Sequence, residues 1–311
     1  MRLVYLGTPQ FAVPTLERIV GAGHEVAAVF TQPDRPRGRG QKEAMPPVKE
    51  AALRLGLPVH QPERVRRPEV VEQLRALGPE AMVVVGYGQI IPQGILDIPP
   101  KGIVNVHASL LPKYRGAAPI QWAIARGETR TGVTTMKIDA GLDTGDILLK
   151  WETEIGPEET AVELSERLAV AGADLLVLTL AELGSIVPEK QDEAQATLAP
   201  ILKKEDGRID FSMGAGEIVN RVRGLVPWPG CYGSLRGLRF HIWKAKQAEG
   251  SSYVADGSFH PGQLRVVGKK LYAGCKGGAI ELLEVQLEGK KRMTGAAFLN
   301  GFTLKDGEVV G

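Results

Sequence analysis

The chain has 311 residues, 43% hydrophobic and 24% charged, an ordinary globular composition with length enough for two domains. Two cysteines, Cys231 and Cys275, are too few for a disulfide framework and lack metal-ligand spacing, and no apolar run is long enough to span a bilayer. The net charge of +2 hides an asymmetry: residues 1–200 hold 21 Lys+Arg against 25 Asp+Glu, whereas residues 201–311 hold 17 against 11. A reduced, cytoplasmic protein is expected. Its basic C-terminal region suits a polyanionic partner, although a solvated lysine-rich surface gives the same charge count.

Residues 2–7 form a continuous apolar run that predicts a buried strand, followed by a Gly7-Thr8-Pro9 turn. Pro14 suits a first helical turn, and Gly21-Ala22-Gly23 is the expected stop. Residues 25–31 predict a second strand, so the chain opens as a βαβ unit of an α/β, doubly wound sheet. Just beyond lies Asp34-Arg35-Pro36-Arg37-Gly38-Arg39-Gly40-Gln41-Lys42, which predicts a mobile basic loop. Its cations could neutralise nucleic-acid phosphates, or merely form a solvated charge run. A helix-period segment near 68–77 separates it from further apolar strands at 81–85 and 103–106. Strands without polar alternation are buried on both faces, which points to a mostly parallel, Rossmann-like sheet. The first turn is not G-x-G-x-x-G, and Pro9 lacks the amide hydrogen a pyrophosphate would use. Dinucleotide binding is not expected.

The most informative stretch is Asn105-Val106-His107-Ala108-Ser109-Leu110-Leu111-Pro112. Two residues apart on a strand, Asn105 and His107 share one face, at the carboxyl end where open α/β sheets bind ligands. An amide and an imidazole together could donate hydrogen bonds to an oxyanion. Asp143, in the loop Asp139-Ala140-Gly141-Leu142-Asp143-Thr144-Gly145, could approach the imidazole and hold it charged. The bland alternative is a buried Asn–His pair with Asp143 as a turn residue. Metal chemistry is poorly served, because the five histidines are scattered and a calcium loop begun at Asp139 would place Lys150 at its bidentate position. Ser109 lacks a G-x-S-x-G elbow. What remains is group transfer, with the protein polarising a carbonyl and the substrate supplying the attacking atom.

Strands are expected at 132–138 and 147–155, flanking the Asp143 loop. Thr160-x-x-Glu163 reads as the capping box of a long helix reaching Gly184. Residues 185–204, polar and broken by prolines, read as a linker. Short strands then follow at 240–245, 263–267, 270–274 and 279–286, with Gly268-Lys269 as a hairpin turn, spacing that fits a small OB-like β-barrel. The expected domains are 1–184 (catalytic), 185–204 (linker) and 205–311 (barrel).

Taken together, these motifs resemble the folate-dependent formyltransferases over nearly the whole chain. The family's Asn-x-His…Ser-Leu-Leu-Pro run is matched by Asn105, His107 and Ser109 to Pro112, and its Asp-x-Gly-x-Asp loop by Asp139 to Asp143. Marks of its tRNA-acting members are Thr31-Gln32-Pro33-Asp34-Arg35-Pro36 with the basic loop, Arg115-Gly116-Ala117-Ala118-Pro119-Ile120-Gln121, and Val222-Arg223-Gly224-Leu225 followed by Pro227-Trp228-Pro229-Gly230. One departure is Ala108, where many members carry Gly or Pro; on a strand it faces away from Asn105 and His107.

The resemblance implies 10-formyltetrahydrofolate as donor co-substrate, initiator methionyl-tRNA as acceptor, and no metal. It implies Asn105, His107 and Asp143 as the catalytic residues. Ser109, Leu110, Leu111 and Pro112, with Gly86, Tyr87, Gly88, Gln89 and Ile90, would wall the folate pocket. Arg35, Arg37, Arg39 and Lys42 would meet the tRNA, and the C-terminal barrel would hold the tRNA body. A monomer is expected. The alternatives are a formyltransferase for a small amine, a formyl-folate hydrolase, and a non-catalytic RNA-binding protein on the same fold.

Overall fold

The computed structural model describes residues 1–37, 42–248 and 259–311, and the chain divides into two units. The first unit comprises Met1–Pro119, Arg130–Glu154 and Ser165–Pro200; the second comprises Ile120–Thr129, Ile155–Leu164 and Ile201–Gly311. The polar segment expected as a linker therefore runs in the first unit as far as Pro200.

In the first unit β1 (Arg2–Gly7), α1 (Val13–Gly21) and β2 (Glu25–Phe30) form the βαβ opening. Then come β3 (Arg35–Arg37), β4 (Lys42–Ala44), α2 (Pro47–Arg54), β5 (Val59–His60), α3 (Pro68–Ala76), β6 (Ala81–Val85), α4 (Gln93–Leu96) and β7 (Ile103–His107). After α5 (Pro119–Ala125), which belongs to the second unit from Ile120 on, the first unit adds β8 (Arg130–Lys137), β9 (Ile147–Glu154) and, from Ser165 on, α6 (Ala161–Glu182). The seven-stranded sheet has the order β5-β2-β1-β6-β7-β8-β9. Its first five strands are parallel, β8 runs antiparallel to β7, and β9 antiparallel to β8.

This Rossmann-like sheet follows from the apolar runs. Every residue of β6 and β7 is buried, as expected where helices cover both faces. Leu6, Phe30, Met82 and Val84 share one core cluster with Leu74 of α3 and Ile95 of α4. Burying each such side chain contributes roughly 1.5–3 kcal/mol. The capping box of α6 is formed: Thr160 N donates to Glu163 Oε2 at 2.8 Å and Glu163 N to Thr160 Oγ1 at 3.4 Å. Further along, a Cβ on Gly172 would lie 2.9 Å from Val106 Cγ1, so only glycine lets α6 lie this close to β7. A buried 2.8 Å hydrogen bond between Thr135 and Thr179 ties the same helix to β8.

The basic segment, expected as a mobile loop, has regular backbone pairing at its two ends. Its two arms pair as an antiparallel ribbon, with Arg35 opposite Ala44 and Arg37 opposite Lys42. Pro36 is tolerated there because a two-stranded ribbon has free edges that need no amide hydrogen. Residues 38–41, including Arg39, lie outside the described residues.

The second unit adds α7 (Ala215–Gly224), β10 (Cys231–Leu235), β11 (Leu238–Gln247), β12 (Leu264–Val267), β13 (Lys270–Cys275), β14 (Gly278–Leu287), β15 (Met293–Thr294) and α8 (Gly295–Gly301). Its antiparallel sheet has the order β10-β11-β14-β13-β12, with β15 beside β14. The strand ladder is open rather than a closed barrel, and the C-terminal tail bridges its two edges. Leu264 N donates to Glu308 O and Val310 N to Gly262 O on the β12 side, both at 2.8 Å. On the β10 side, Ser234 and Gly311 exchange backbone hydrogen bonds of 2.8 and 3.1 Å. The sequence reading missed β10 because its inward positions are Cys231, Gly233 and Leu235, a weak hydrophobic signal. Among the described residues no helix is long and apolar enough to cross a membrane.

Candidate active site

The parallel strands bring their carboxyl ends to one edge of the sheet. β7 ends there with Asn105 and His107, which lie 8% and 6% exposed. Asn105 is paired with Val84 of β6 on one side and Met136 of β8 on the other, so its backbone is held in mid-sheet. Its carboxamide makes no side-chain hydrogen bond among the described residues. A nearly buried amide without a partner is costly unless a ligand or water completes it.

His107 Nε2 lies 2.9 Å from the carbonyl of Tyr114. A carbonyl oxygen only accepts, so Nε2 carries the hydrogen and the ring's exchangeable position is Nδ1. Nδ1 faces Asp143, whose Oδ2 is 3.6 Å away. That is beyond hydrogen-bond reach but close enough for strong electrostatic attraction once the ring is protonated. The same Oδ2 accepts the backbone N–H of Gly116 at 2.8 Å. Asp143 has a φ of 52°, a left-handed backbone that costs an L residue of order 1 kcal/mol. Gly145 is required for the loop's return, because a Cβ there would collide with the carbonyl of Lys137.

Ser109 to Pro112 form a turn beneath this pair. Ser109 Oγ donates to Lys113 O at 2.6 Å, and Thr134 Oγ1 takes the Leu111 N–H at 3.1 Å while donating to Ser109 O at 2.7 Å. The Ser109 hydroxyl is thus committed to the turn. Leu111 is buried with Met136 and Ile147, Leu110 and Pro112 are half-buried, and the Leu111–Pro112 peptide is cis.

The loop after β6 turns through Gly86 (φ 55°) and Gly88 (φ 83°). The Tyr87 carbonyl accepts Thr8 Oγ1 at 3.0 Å and Gln32 Nε2 at 3.1 Å. Its side chain turns inward; the hydroxyl has no partner among the described residues, and burial pushes the phenol up to about 12. The Gln89 side chain accepts the Val65 N–H at 2.7 Å and donates to Pro62 O at 3.3 Å. Of the residues expected to wall a folate pocket, Ser109 and Gln89 therefore have polar groups engaged within the protein. Ile90 is 89% exposed at the loop's end. At the base of the basic ribbon, Asp34 is gripped by Lys49 Nζ at 2.5 Å and Gln61 Nε2 at 2.7 Å, which holds its carboxyl below the usual range. Arg35 is exposed beside it.

The structure adds residues that sequence reasoning did not assign. Arg115 is 5% exposed and forms a bidentate pair with Glu193, at 2.9 and 2.7 Å, while its Nε donates to Gln191 Oε1 at 2.9 Å. Gln191 Nε2 in turn donates to the carbonyls of Asp143 and Gly145. Arg115 could be singled out as a cation beside the Ser-Leu-Leu-Pro turn. Gln191 carries no local signal, because its partners lie more than 40 residues away.

Residues 1–180 match the formyl transferase family, and residues 201–303 match the formyl transferase C-terminal domain. The chain belongs to the formyl transferase family. It is 65% identical to the methionyl-tRNA formyltransferase of Solibacter usitatus, over 100% of this chain and 99% of that protein. The corresponding protein of Koribacter versatilis is 56% identical, again over 100% and 99%. Among solved structures, this formyltransferase superposes on the Helicobacter canadensis N-formyltransferase in complex with folinic acid and dTDP-3-aminofucose. That match has a TM-score of 0.66 and 19% identity, covering 90% of this chain and 98% of the other. The Aquifex aeolicus HypX complex with tetrahydrofolic acid matches at TM-score 0.63 and 17% identity, over 99% of this chain and 50% of that one. At such identities the likeness is one of fold.

Proposed function

We propose that this formyltransferase moves a formyl group from 10-formyltetrahydrofolate to the α-amino group of methionine on initiator tRNA, for translation initiation. The observation that carries the reading is the unpartnered, nearly buried Asn105 amide beside His107 at the sheet's carboxyl edge. The full-length relatives named methionyl-tRNA formyltransferase support the acceptor, and the folates in the solved relatives support the donor.

The chemistry follows from the groups present. A free α-amino group titrates near 7.7–8.0, so a useful fraction is nucleophilic at neutral pH. Its nitrogen forms a bond to the formyl carbon, and the carbonyl electron pair moves onto oxygen. Asn105 Nδ2 donates to that oxyanion. His107 takes part at Nδ1, since Nε2–H is held by Tyr114, with the Asp143 carboxylate 3.6 Å from that nitrogen to orient the ring. Collapse breaks the bond to the folate nitrogen, which receives a proton, while the attacking amine loses one. Exposed Ile90, the Gly86 and Gly88 backbone and the 109–112 turn offer the folate an edge to lie against.

The acceptor's nucleic-acid part requires a cationic surface. Within the second unit, a cleft of about 1480 Å³ is lined by Lys244, Lys246, Lys270 and Arg292, with Trp243 and Tyr272 and several glutamates among them. Lysines with interleaved aromatic rings suit a nucleic-acid backbone and its bases. Arg35, Arg37 and Lys42 on the paired arms, with Arg39 between them in the sequence, make this segment of the first unit basic. A cytoplasmic monomer is the working state proposed.

The deciding experiment measures formyl transfer from 10-formyltetrahydrofolate to methionyl initiator tRNA, with wild type beside Asn105→Ala. Robust transfer that collapses in the variant is the expected result. Wild type that consumes formyl-folate without formylating the tRNA would move the acceptor to a small amine or to water.

A further inference from the structure

Residues 189–199 run as a strap along the candidate site in the first unit. Glu189 exchanges backbone hydrogen bonds of 2.8 and 2.9 Å with Ile147. Thr197 Oγ1 accepts the Tyr114 N–H at 2.9 Å, and Thr197 O accepts the Arg115 N–H at 2.8 Å. Ala199 N donates to Arg115 O at 2.7 Å. The peptides held here are those that orient the reacting pair. Tyr114 supplies the carbonyl that fixes His107, and Gly116 the N–H that fixes the Asp143 carboxylate.

Between these anchors, Gln191 reaches both sides of the site. Its two N–H donors go to Asp143 O at 2.8 Å and Gly145 O at 2.7 Å, and its carbonyl accepts Arg115 Nε at 2.9 Å. Both donors and the acceptor are thereby used, so the side chain has a single arrangement. Glu193 completes the cluster from solvent, its side chain 71% exposed and paired with the buried Arg115. The remaining connection is direct. Arg115 is followed by Gly116, whose N–H holds Asp143 Oδ2, so the carboxylate is fixed on its side-chain end by the turn and on its backbone end by Gln191. Without the second hold, the loop's left-handed residue has one fewer constraint keeping Oδ2 opposite His107 Nδ1.

We propose that Gln191 is a positioning residue for formyl transfer, clamping the Asp143 loop against the Arg115–Gly116 turn. The proposal rests on the roles given above to His107 and Asp143. With its polar groups engaged by the protein, Gln191 acts through the placement of one carboxylate. A displacement near 1 Å at a reacting group can cost about 10²-fold, and this clamp bears on only one of three groups. A kcat loss of roughly 10- to 100-fold is expected, with KM for both substrates within about two-fold.

The test compares Gln191→Ala and Gln191→Glu with wild type and Asn105→Ala, by steady-state transfer kinetics and thermal melting. Gln191→Glu keeps the size and the acceptor for Arg115 but removes both N–H donors. The proposal predicts that both variants lose kcat at little-changed KM, with Tm within a few degrees of wild type. Should Gln191→Ala fail to fold, Gln191→Glu carries the same test. Wild-type kcat in Gln191→Glu, or a loss confined to KM, would overturn the clamp while a collapsed Asn105→Ala left the underlying site reading intact. Full activity in Asn105→Ala would instead remove that reading itself.

Discussion

The carboxyl edge of the first unit's sheet and the cleft face of the second unit's sheet use polar side chains in opposite ways. At the first, Asn105, His107 and Arg115 are all at most 8% exposed, and His107, Arg115 and Asp143 are fixed by named partners. At the second, Lys244, Lys246 and Arg292 stay exposed. There His241 stacks on Trp243 at 5.1 Å, Arg239 lies 4.3 Å over Tyr232, and Arg292 lies 5.3 Å over Trp243. The difference teaches what each task requires. Stabilising an oxyanion needs donors fixed in advance and shielded from water. Holding a polyanion needs cations that stay solvated until contact and then release counterions.

The largest expected effect tests the shielded edge. Asn105→Ala should lower kcat by about 10²–10³-fold, and by the same factor at 50 and 200 mM salt, because the lost donor is screened from the ion atmosphere. A ratio that changes with salt would erase the contrast. Next comes a nearly buried charge of the second sheet. Glu281 is 8% exposed, with Lys270 at 3.4 Å and Lys246 at 3.6 Å. Removing both lysines should cost about 1–3 kcal/mol in urea unfolding by leaving a charged group with no partner, whereas either single change should cost under about 1 kcal/mol. A double loss equal to that of one single variant, with the other single silent, would show that only one lysine matters.

A smaller effect sharpens the exposed side. Lys244→Ala should raise KM for charged tRNA a few-fold and reduce the slope of log KM against log salt by about 1, leaving kcat in place. An unchanged slope would remove Lys244 from the polyanion surface. The smallest effect is on pH dependence. Burial, then the charge of Arg239, hold His241 below the ordinary imidazole value of 6.5. The unfolded chain therefore binds this proton more readily, so stability falls as pH drops below about 6.5 towards the folded value, and the loss is absent at higher pH. His241→Gln should flatten the decline of Tm between pH 7.5 and 5.5. A decline as steep as wild type would assign it to other groups.

Legibility differed between regions for physical reasons. β1, β6 and β7 could be read because strands buried on both faces are apolar throughout, and the α6 cap because Thr160 and Glu163 act across three residues. Asn105 and His107 were visible as a pair because strand periodicity alone places them on one face. Harder cases were those whose determinants lie elsewhere in the chain. Gln89 looks like a loop residue free to meet a ligand, yet Pro62 and Val65 occupy it. The ribbon at Arg35 and Lys42 looks irregular from its prolines and glycines, yet it pairs with itself.

By itself, then, the sequence determined the Rossmann-like sheet, the change to an antiparallel second unit, and the identity of the amide, imidazole and carboxylate. Those features are written in periodicity and in local spacing, which act over a few residues. Only the tertiary structure decided which imidazole nitrogen faces Asp143, how Asp143 is held, and that a polar stretch near 191 meets the Asp143 loop. Each of these depends on a hydrogen bond closed between distant segments: His107 to Tyr114, Gly116 to Asp143, and Gln191 to Arg115 and Asp143. Such bonds exist only once the sheet has brought its loops to one edge, so no local pattern announces them.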